Sequence, residues 1–502
     1  MRIVSSWMGR VRWVGLWIVT AVLLSLPLVV DANPGEASEA QDGGGGERAS
    51  EKIVVGTKTF TESVVLGEII RLLIESETDH RVELRGQLGG TRVLWSSLTR
   101  GGIDVYPEYT GTIDKELFSG RSLADRAAIR GAGNEKGVSM TEPLGFNNTY
   151  AIGMRREHAE RLGIETIADL RKHPDLTLGF SNEFLDRADG WKGLRRAYDL
   201  PHEDVQGLDH DLAYQGLDSG SIDVIDLYST DAEIEYYDLK IVRDNREFFP
   251  RYEAVLLYRS ALESAAPEVP RVLERLEGTI DAKQMQRMNK SVKIQGRDDA
   301  AVAREFLTQE FGLAPEVETA AWYDRVWTRT LQHIWLVGVS MALAQALAIP
   351  LDVMAAKVDW LEQPVLGVVG ILQTIPSLAL LVFMIPLFGI GARPAIAALF
   401  VYSLLPIVRN THAGLADIPR ELSDSARALG MSGWSRLRRI EMPMALRPMF
   451  AGIKTAAVIN VGVATLGALI GAGGYGQPIL TGIRLDDFSL ILDGAIPAAG
   501  LA

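Results

Sequence analysis

Cysteine is absent from the 502 residues of this chain. Without a thiol, the protein forms no disulfide, holds no metal through thiolate and uses no cysteine nucleophile. It also lacks the cysteine that carries a lipid anchor, so any membrane attachment must come from apolar segments of the chain. The seven histidines are scattered without the spacing of metal ligands, and the sequence therefore predicts no metal site.

Motifs of nucleotide hydrolysis and of hydrolases are missing as well. The chain has no Gly-x-x-x-x-Gly-Lys-Ser/Thr loop, no Gly-x-Ser-x-Gly and no His-Glu-x-x-His. Residues 471–476 match Gly-x-Gly-x-x-Gly, but they end an apolar run and follow no strand, so we interpret them as a turn. The sequence predicts no catalytic residue and no cofactor, and the net charge of −13 argues against a nucleic-acid partner.

Two regions of the chain are strongly apolar. The first, residues 13–30, follows three arginines and predicts a signal peptide or signal anchor over 1–32, with a flexible tether over 33–50. The second region predicts about five membrane helices, at 334–351, 364–388, 394–408, 449–470 and 488–502. The last run is short for a membrane span, which indicates a shortened C-terminus.

Arginines fix the orientation of these helices. Seven of them lie between residues 409 and 447, which places this segment in the cytoplasm by the positive-inside rule. The sequence then predicts an extracytoplasmic domain over 51–313, a linker over 314–329 and a membrane domain over 330–502, with a cytoplasmic loop at 415–447. We expect a multi-pass protein of a bacterial or archaeal-type cell (inner) membrane.

The most specific motif lies in that loop. Asp424-Ser425-Ala426 is followed by three residues, Gly430, nine residues and then Ile440-Glu441-Met442-Pro443. It resembles the loop of ABC-importer permeases that docks on the ATPase, although Asp-Ser replaces Glu-Ala and Met442 replaces Leu. The resemblance implies a helix-turn-helix, a separate cytoplasmic ABC ATPase and a homodimer of permease domains. The implied docking residues are Asp424, Ser425, Ala426, Gly430, Ile440 and Pro443.

The region before the apolar runs alternates short β-rich segments with helical ones, which predicts an α/β domain with mostly parallel sheets. The predicted strands are 52–56, 103–106, 149–154, 176–180, 222–227 and 254–258. A pattern from Leu98 to Tyr109 recurs 119 residues later, from Leu217 to Tyr228. Because open α/β sheets bind ligands at the carboxyl ends of their strands, both tyrosines are predicted to face one cleft between two lobes.

Four segments of this domain, 55–62, 104–112, 147–150 and 249–254, resemble binding proteins for quaternary amines such as glycine betaine and choline. The resemblance implies a two-lobed α/β periplasmic-binding-protein fold of type II, followed by an all-α polytopic membrane permease domain. The segments 149–154 and 253–258 are the expected crossings between the lobes. The chain is thus expected to be a fused binding-protein and permease subunit, not an enzyme.

The resemblance also implies the ligand site. A trimethylammonium group donates no hydrogen bond, so aromatic faces hold it through its diffuse charge, and the implied cage is Tyr109, Tyr150, Tyr228 and Tyr252. A carboxylate of the ligand would be bound by charge-assisted hydrogen bonds, and the implied residues are Lys58, Thr112 and Arg187. This set favours glycine betaine over choline; the alternatives are a larger betaine such as ergothioneine, or a membrane-bound ligand sensor without transport.

Overall fold

The computed structural model describes residues 52–316, apart from positions 122, 124 and 188, and residues 322–502. The predicted signal segment (1–32) and tether (33–50) lie outside the described residues. The described chain forms two compact units. The α/β unit holds the residues up to 316 together with Leu480–Ile491, and the helical unit holds residues 322–479 together with Leu492–Ala502.

Ten strands of the α/β unit form two mixed sheets of five strands each. They are β1 (Ile53–Gly56), β2 (Val82–Arg85), β3 (Val105–Tyr109), β4 (Val138–Met140), β5 (Tyr150–Arg155), β6 (Leu178–Ser181), β7 (Val205–Leu208), β8 (Val224–Tyr228), β9 (Leu239–Val242) and β10 (Ala254–Arg259). The strand orders are β2-β1-β3-β10-β4 and β7-β6-β8-β5-β9. These sheets are the cores of the two predicted lobes.

Each sheet is half parallel, which corrects the expectation of mostly parallel sheets. In the first lobe β1 pairs in parallel with β2 and β3, whereas β10 runs antiparallel to β3 and β4. The second lobe repeats this pattern around β6, β8 and β5. β5 and β10 run antiparallel to their neighbours because the chain enters each of them directly from the other lobe.

The crossings between the lobes also differ from the prediction. The segments 149–154 and 253–258 were expected to cross, but they form β5 and β10 inside the sheets. The chain crosses just before them, at 141–149 and 243–253, and an isolated bridge joins Asn147 to Glu253. Apolar composition marks the buried strand, whereas the adjoining crossing segment need not be apolar.

The internal repeat is confirmed in the structure. β3 and β8 occupy the same central place in their sheets. The glycines that precede them, Gly101 and Gly220, have φ of 76° and 74°, a left-handed conformation that favours glycine. The aspartates that follow, Asp104 and Asp223, each accept a 2.9 Å hydrogen bond from a backbone N–H of the neighbouring segment. The two lobes therefore share the same local structure, a glycine turn, a hydrogen-bonded aspartate and a central strand.

Short helices cover both sheets, and the core runs along the helix Thr61–Glu77, where Val65, Leu66 and Ile69 are fully buried. The other helices of the unit are Thr91–Thr99, Thr110–Thr112, Ile113–Leu117 (π), Arg126–Asn134, Arg156–Leu162, Ile167–Lys172 (3₁₀), Asn182–Asp186, Trp191–Tyr198, His210–Asp218, Glu233–Tyr236, Leu262–Ala265, Glu268–Glu274, Ala282–Lys293 and Asp299–Phe311. The last two pack against Thr61–Glu77 and complete the first lobe.

Three helices among the described residues are long and apolar enough to cross a membrane: Trp322–Ala355, Ala392–Ala416 and Gly433–Ile470. A fourth crossing arises if the pair Trp360–Thr374 and Ser377–Phe388, bent by 100°, is one span. Pro376 separates the two halves, since proline cannot continue the preceding helix. The fifth predicted run forms a shorter apolar helix, Phe488–Leu501. The expected five crossings thus become three or four.

The long helix Gly433–Ile470 consists of four segments, Gly433–Arg436, Leu437–Glu441 (π), Met442–Ala464 and Thr465–Ile470 (3₁₀). The first helix of the bent pair begins at Asp359, and the other helices of this part of the chain are Arg420–Ala428 and Gly476–Leu485. The glycine-rich stretch 471–476 follows the 3₁₀ helix, and its residues Gly471, Gly473 and Gly474 have φ between 76° and 80°. It is a turn between helices, as predicted, because a 3₁₀ helix and not a strand immediately precedes it.

Candidate functional site

A small cavity lies between the two lobes of the α/β unit. Its volume is about 20 Å³, and all seven predicted ligand residues line it. The sequence analysis missed three further lining residues, Phe60, Asn148 and Glu183, although the first two belong to segments that carry the family resemblance. The complete lining is Lys58, Phe60, Tyr109, Thr112, Asn148, Tyr150, Glu183, Arg187, Tyr228 and Tyr252.

Strand ends bring the four tyrosines together. Tyr109 and Tyr228 are the last residues of β3 and β8, and Tyr150, the first residue of β5, pairs directly with Tyr228. Tyr252 lies in the second crossing, two residues before β10. The side chains converge because each lies where a central strand meets the cleft. Tyr109 and Tyr228 thus lie at strand ends, and Tyr150 and Tyr252 lie at the crossings between the lobes, as predicted.

The aromatic rings form one continuous surface. The ring of Tyr150 lies 5.0 Å from that of Tyr228 and 5.6 Å from that of Tyr252, between centroids. Tyr109, the fourth tyrosine, is connected to this group through Phe60. The centroid of the Phe60 ring lies 6.3 Å from that of Tyr109 and 5.3 Å from that of Tyr228. Burial raises the pKa of Tyr109, Tyr150 and Tyr228 well above the ordinary value, so these phenols stay neutral. The cage therefore offers π faces rather than negative charge.

Lys58 is the first of the residues predicted to bind the carboxylate of the ligand, and it already has an anionic partner within the protein. Its ammonium lies 2.6 Å from a carboxylate oxygen of Glu108, and both side chains are almost fully buried. The same ammonium lies 5.5 Å from the centroid of the Tyr109 ring. Since an ammonium carries three hydrogens, this pairing leaves Lys58 able to donate to a ligand oxygen. Its charge is nevertheless balanced within the protein.

Arg187 is more completely engaged. Its guanidinium donates twice to Asp189, at 2.9 and 2.6 Å, and once to Glu116 at 2.9 Å. It also lies 3.4 Å from the hydroxyl of Thr112 and 5.2 Å from the centroid of the Tyr150 ring. Burial disfavours its charge, but Asp189 helps to keep the pKa of Arg187 well above its usual range. Because Thr112 and Glu116 belong to the first lobe, Arg187 joins the two lobes.

Buried carboxylates stand behind two cage tyrosines, and sequence reasoning did not select them. The hydroxyl of Tyr109 donates to Glu62 at 2.6 Å, and that of Tyr252 donates to Asp189 at 2.5 Å. A hydrogen bond to an anion is stronger than one between neutral groups. These two bonds fix the orientation of the rings without placing a carboxylate against the ligand.

The predicted docking residues lie on a helix, a turn and a second helix. Asp424, Ser425 and Ala426 lie in the helix Arg420–Ala428, and Gly430, with φ 73°, lies in the turn that follows. Ile440 lies in the π-helical segment Leu437–Glu441, and Pro443 is the second residue of the helix Met442–Ala464. The helix-turn-helix form is as predicted. Ala426, however, is buried within its own unit, so it does not present a small face outward.

Other side chains of this loop point outward. Leu429 is 82% exposed and Trp434 is 71% exposed. At the inner end of the loop, Glu441 is buried between Lys357, at 2.5 Å, and Arg436, at 2.9 Å. The loop is therefore anchored by ion pairs and displays apolar side chains at its turn.

The fold and the cage together define a class of protein, a solute-binding domain joined to a membrane transport domain. The family described as substrate binding domain of ABC-type glycine betaine transport system matches residues 51–309. The chain belongs to this family. The family described as binding-protein-dependent transport system inner membrane component matches residues 348–502, so the chain is a fusion of both parts.

Named relatives match one part or the other. The osmoprotectant import permease protein OsmW of Salmonella typhimurium is 48% identical over 178 residues, 34% of this chain and 83% of OsmW. The carnitine transport binding protein OpuCC of Listeria monocytogenes is 30% identical over 304 residues, 59% of this chain and 96% of OpuCC.

A third relative is the ergothioneine transport permease/ergothioneine binding protein EgtU of Helicobacter pylori. It is 34% identical over 262 residues, 51% of this chain. The match spans about half the length of EgtU, 47%. The chain is thus a membrane protein with permease and binding domains of an ABC transporter, and these domains imply a small-molecule substrate and an ATPase partner.

Proposed function

We propose that this chain captures a quaternary-amine compatible solute outside the cell and passes it through its own permease domain, driven by a separate ATPase. The observation that carries the proposal is the cage of Tyr109, Tyr150, Tyr228 and Tyr252, the first, second and fourth of them buried, in the cleft of the α/β unit. Aromatic faces attract a trimethylammonium group and spare it the desolvation of an ion pair. The rings are in mutual contact, so the ligand enters by separating the lobes.

Glycine betaine is the ligand we propose first. Lys58, Thr112 and Arg187 line the same cavity as the cage, which puts hydrogen-bond donors within reach of a carboxylate on a bound trimethylammonium compound. An ammonium and a guanidinium are the usual partners of such a carboxylate. The family description, which names glycine betaine, supports the same ligand.

Choline is a second candidate, and a specific observation favours it. The charges of Lys58 and Arg187 are already balanced by Glu108, Asp189 and Glu116. A cation without a carboxylate would meet a site that has no unpaired positive charge at these two residues. The hydroxyl of choline would then hydrogen bond where the carboxylate of betaine otherwise lies.

The membrane part of the proposal concerns the partner ATPase. We propose that Asp424, Ser425, Ala426, Gly430, Ile440 and Pro443 form the docking loop on the cytoplasmic side, with two permease domains and two ATPases in each transporter. Exposed Leu429 and Trp434 support an interface, since large apolar side chains on a polar loop are typical of partner contacts. Fusion in one chain would raise the local concentration of the binding domain at the permease.

Uptake measurements test this proposal. Cells that lack their own quaternary-amine importers would express the chain with and without a candidate ABC ATPase from the same organism, and accumulation of labelled glycine betaine, choline and ergothioneine would be followed. Concentrative uptake that requires both proteins supports the proposal. Ligand binding without uptake would instead favour a membrane sensor, and uptake of ergothioneine alone would make this a transporter of a larger betaine.

A further inference from the structure

Glu62 is a buried acid to which the proposed function assigns no role. It is the second residue of the helix Thr61–Glu77 in the first lobe, and it is only 2% exposed. Burial raises the pKa of the Glu62 carboxyl above its usual value, while its hydrogen bonds act in the opposite direction. A buried acid costs stability unless its oxygens are satisfied, so its partners show what it does.

Each oxygen of the Glu62 carboxylate has two partners. Oε1 accepts from the hydroxyl of Tyr109 at 2.6 Å and from the amide of Asn148 at 2.9 Å. Oε2 accepts from the hydroxyl of Thr230 at 2.5 Å and from the amide of Asn289 at 3.2 Å. All four donors are neutral groups, and together they satisfy both oxygens. Glu62 is the common point of this network.

The four partners come from four different parts of the domain. Tyr109 ends the central strand of the first lobe, Asn148 lies in the first crossing, Thr230 follows β8 of the second lobe, and Asn289 lies in the helix Ala282–Lys293. Sequence separations range from 47 residues to 227. One side chain therefore connects a wall of the cage, the crossing and both lobes.

The bond to Tyr109 affects the cage directly. It fixes the plane of the Tyr109 ring beside Phe60, whose centroid is 6.3 Å away. A phenol that donates to an anion also gains electron density in its ring, and the attraction of a ring for a cation rises with that density. Loss of the acceptor would leave the ring free to turn and less attractive to the ligand.

The bond to Thr230 acts between the lobes. Binding proteins of this architecture close on their ligand by a hinge motion. A hydrogen bond from the second lobe to Glu62 in the first lobe favours the arrangement in which it forms, and a ligand gains affinity from whatever favours its closed state. Tyr109 and Thr230 share the same acceptor, so the ring position and the lobe position are coupled.

We propose that Glu62 is a positioning residue for ligand capture, which holds Tyr109 in the cage and couples that ring to the second lobe. It acts through Tyr109 and does not touch the ligand. The inference rests on the proposed function, because it explains how the cage is held for a trimethylammonium ligand.

A double-mutant cycle tests it. Full-length chain in detergent would be titrated calorimetrically with glycine betaine and with choline, for wild type, Glu62→Gln, Tyr109→Phe and the double variant. We expect Glu62→Gln to weaken binding by about 10-fold, since a charge-assisted hydrogen bond is lost. Glu62→Gln removes the charge of the acceptor and Tyr109→Phe removes the donor, so both changes remove the same charge-assisted hydrogen bond, and we expect the double variant to bind about as weakly as Glu62→Gln alone.

Two further variants complete the design. Glu75→Gln changes an acid near the exposed end of the same helix and should leave affinity unchanged. Thr230→Val removes one donor on the second-lobe side, keeps the side-chain volume and should weaken binding several-fold, which tests the inference even if Glu62→Gln fails to fold. The inference would be overturned if the effects of Glu62→Gln and Tyr109→Phe were additive. It would also be overturned if either Glu62→Gln or Thr230→Val bound with wild-type affinity. These outcomes would leave the proposed function standing. A wild-type chain that binds neither ligand would overturn the proposed function together with this inference.

Discussion

Tyr150 is the residue on which the proposed site depends most. Its ring contacts two other cage tyrosines and lies under the guanidinium of Arg187. Tyr150→Leu keeps apolar bulk but removes the π face, and we expect quaternary-amine affinity to fall roughly 30-fold or more. Tyr150→Phe keeps the ring and should change affinity by no more than about threefold. Calorimetric titration distinguishes the two.

The matched control is Tyr236→Leu, an exposed tyrosine of the second lobe that does not line the cavity. It should bind like wild type. Equal losses in Tyr150→Leu and Tyr150→Phe would contradict the cage, because the hydroxyl would then matter and the ring face would not.

The pair of Lys58 and Glu108 makes a prediction about stability. Removing one member of a buried ion pair leaves an uncompensated charge, which costs about 3–5 kcal/mol. Lys58→Met should therefore lower the unfolding temperature of the α/β unit, followed by intrinsic fluorescence. Adding Glu108→Gln removes the stranded charge and should restore most of the loss. A single variant as stable as wild type would argue that the pair is not buried.

His210 gives a pH-dependent prediction. Burial opposes its charge, but the carboxylate of Asp231, 3.1 Å away, with Asp226 and Asp211 nearby, raises the pKa of His210 to about 10. Because this folded-state value exceeds the ordinary 6.5, the stabilisation is complete below pH 6.5 and disappears as pH rises through 10. His210→Gln should thus lower the unfolding temperature at pH 6 and have little effect above pH 10. A deficit that persists above pH 10 would refute the assignment.

Residue types could be predicted from the sequence at this scale, but their partners could not. The cage tyrosines and the two cations were identified from local segments. Glu108 and Glu62 lie within those same segments, yet Lys58 and Glu108 are 50 residues apart and Glu62 and Thr230 are 168 apart. No local pattern indicates which cation or hydroxyl a buried acid will meet across the fold.

The strands show what periodicity detects at the scale of elements. All six predicted strands correspond to the three inner strands of each sheet: β1, β3, β10, β6, β8 and β5. The four that were missed, β2, β4, β7 and β9, are the sheet edges and have three or four residues each. Inner strands are buried on both faces and form continuous apolar runs, whereas short edge strands carry too few apolar residues to stand out.

The prediction at the scale of elements concerns the proposed docking loop, residues 415–447. Leu429→Asp or Trp434→Asp should reduce co-purification of the ATPase by roughly tenfold, because an exposed apolar anchor becomes a charge. Ligand affinity should be unchanged, since these residues are in the helical unit and the cage is in the α/β unit. Tyr236→Asp, an equally drastic change on the α/β unit, is the control and should not affect the ATPase. Undiminished co-purification would place the interface elsewhere.

At the scale of the whole molecule, one chain carries both a substrate-binding domain and a permease domain. The two family matches cover residues 51–309 and 348–502. The contrast in hydropathy predicted two regions of different class, and the resemblance of each region to a known family implied their fusion. The number of membrane crossings was less predictable. The run 364–388 was predicted as one span from its apolar composition, whereas the chain bends by 100° in its middle, next to Pro376.

The most direct test of this account is the calorimetric titration of the full-length chain with glycine betaine, choline and ergothioneine in parallel. We predict saturable binding of glycine betaine or choline that Tyr150→Leu weakens by roughly 30-fold or more and Tyr150→Phe retains. Binding of betaine that also requires Arg187 would identify a zwitterionic ligand, and binding of choline independent of Arg187 would identify a cationic one. Failure to bind any of the three compounds would contradict the quaternary-amine assignment.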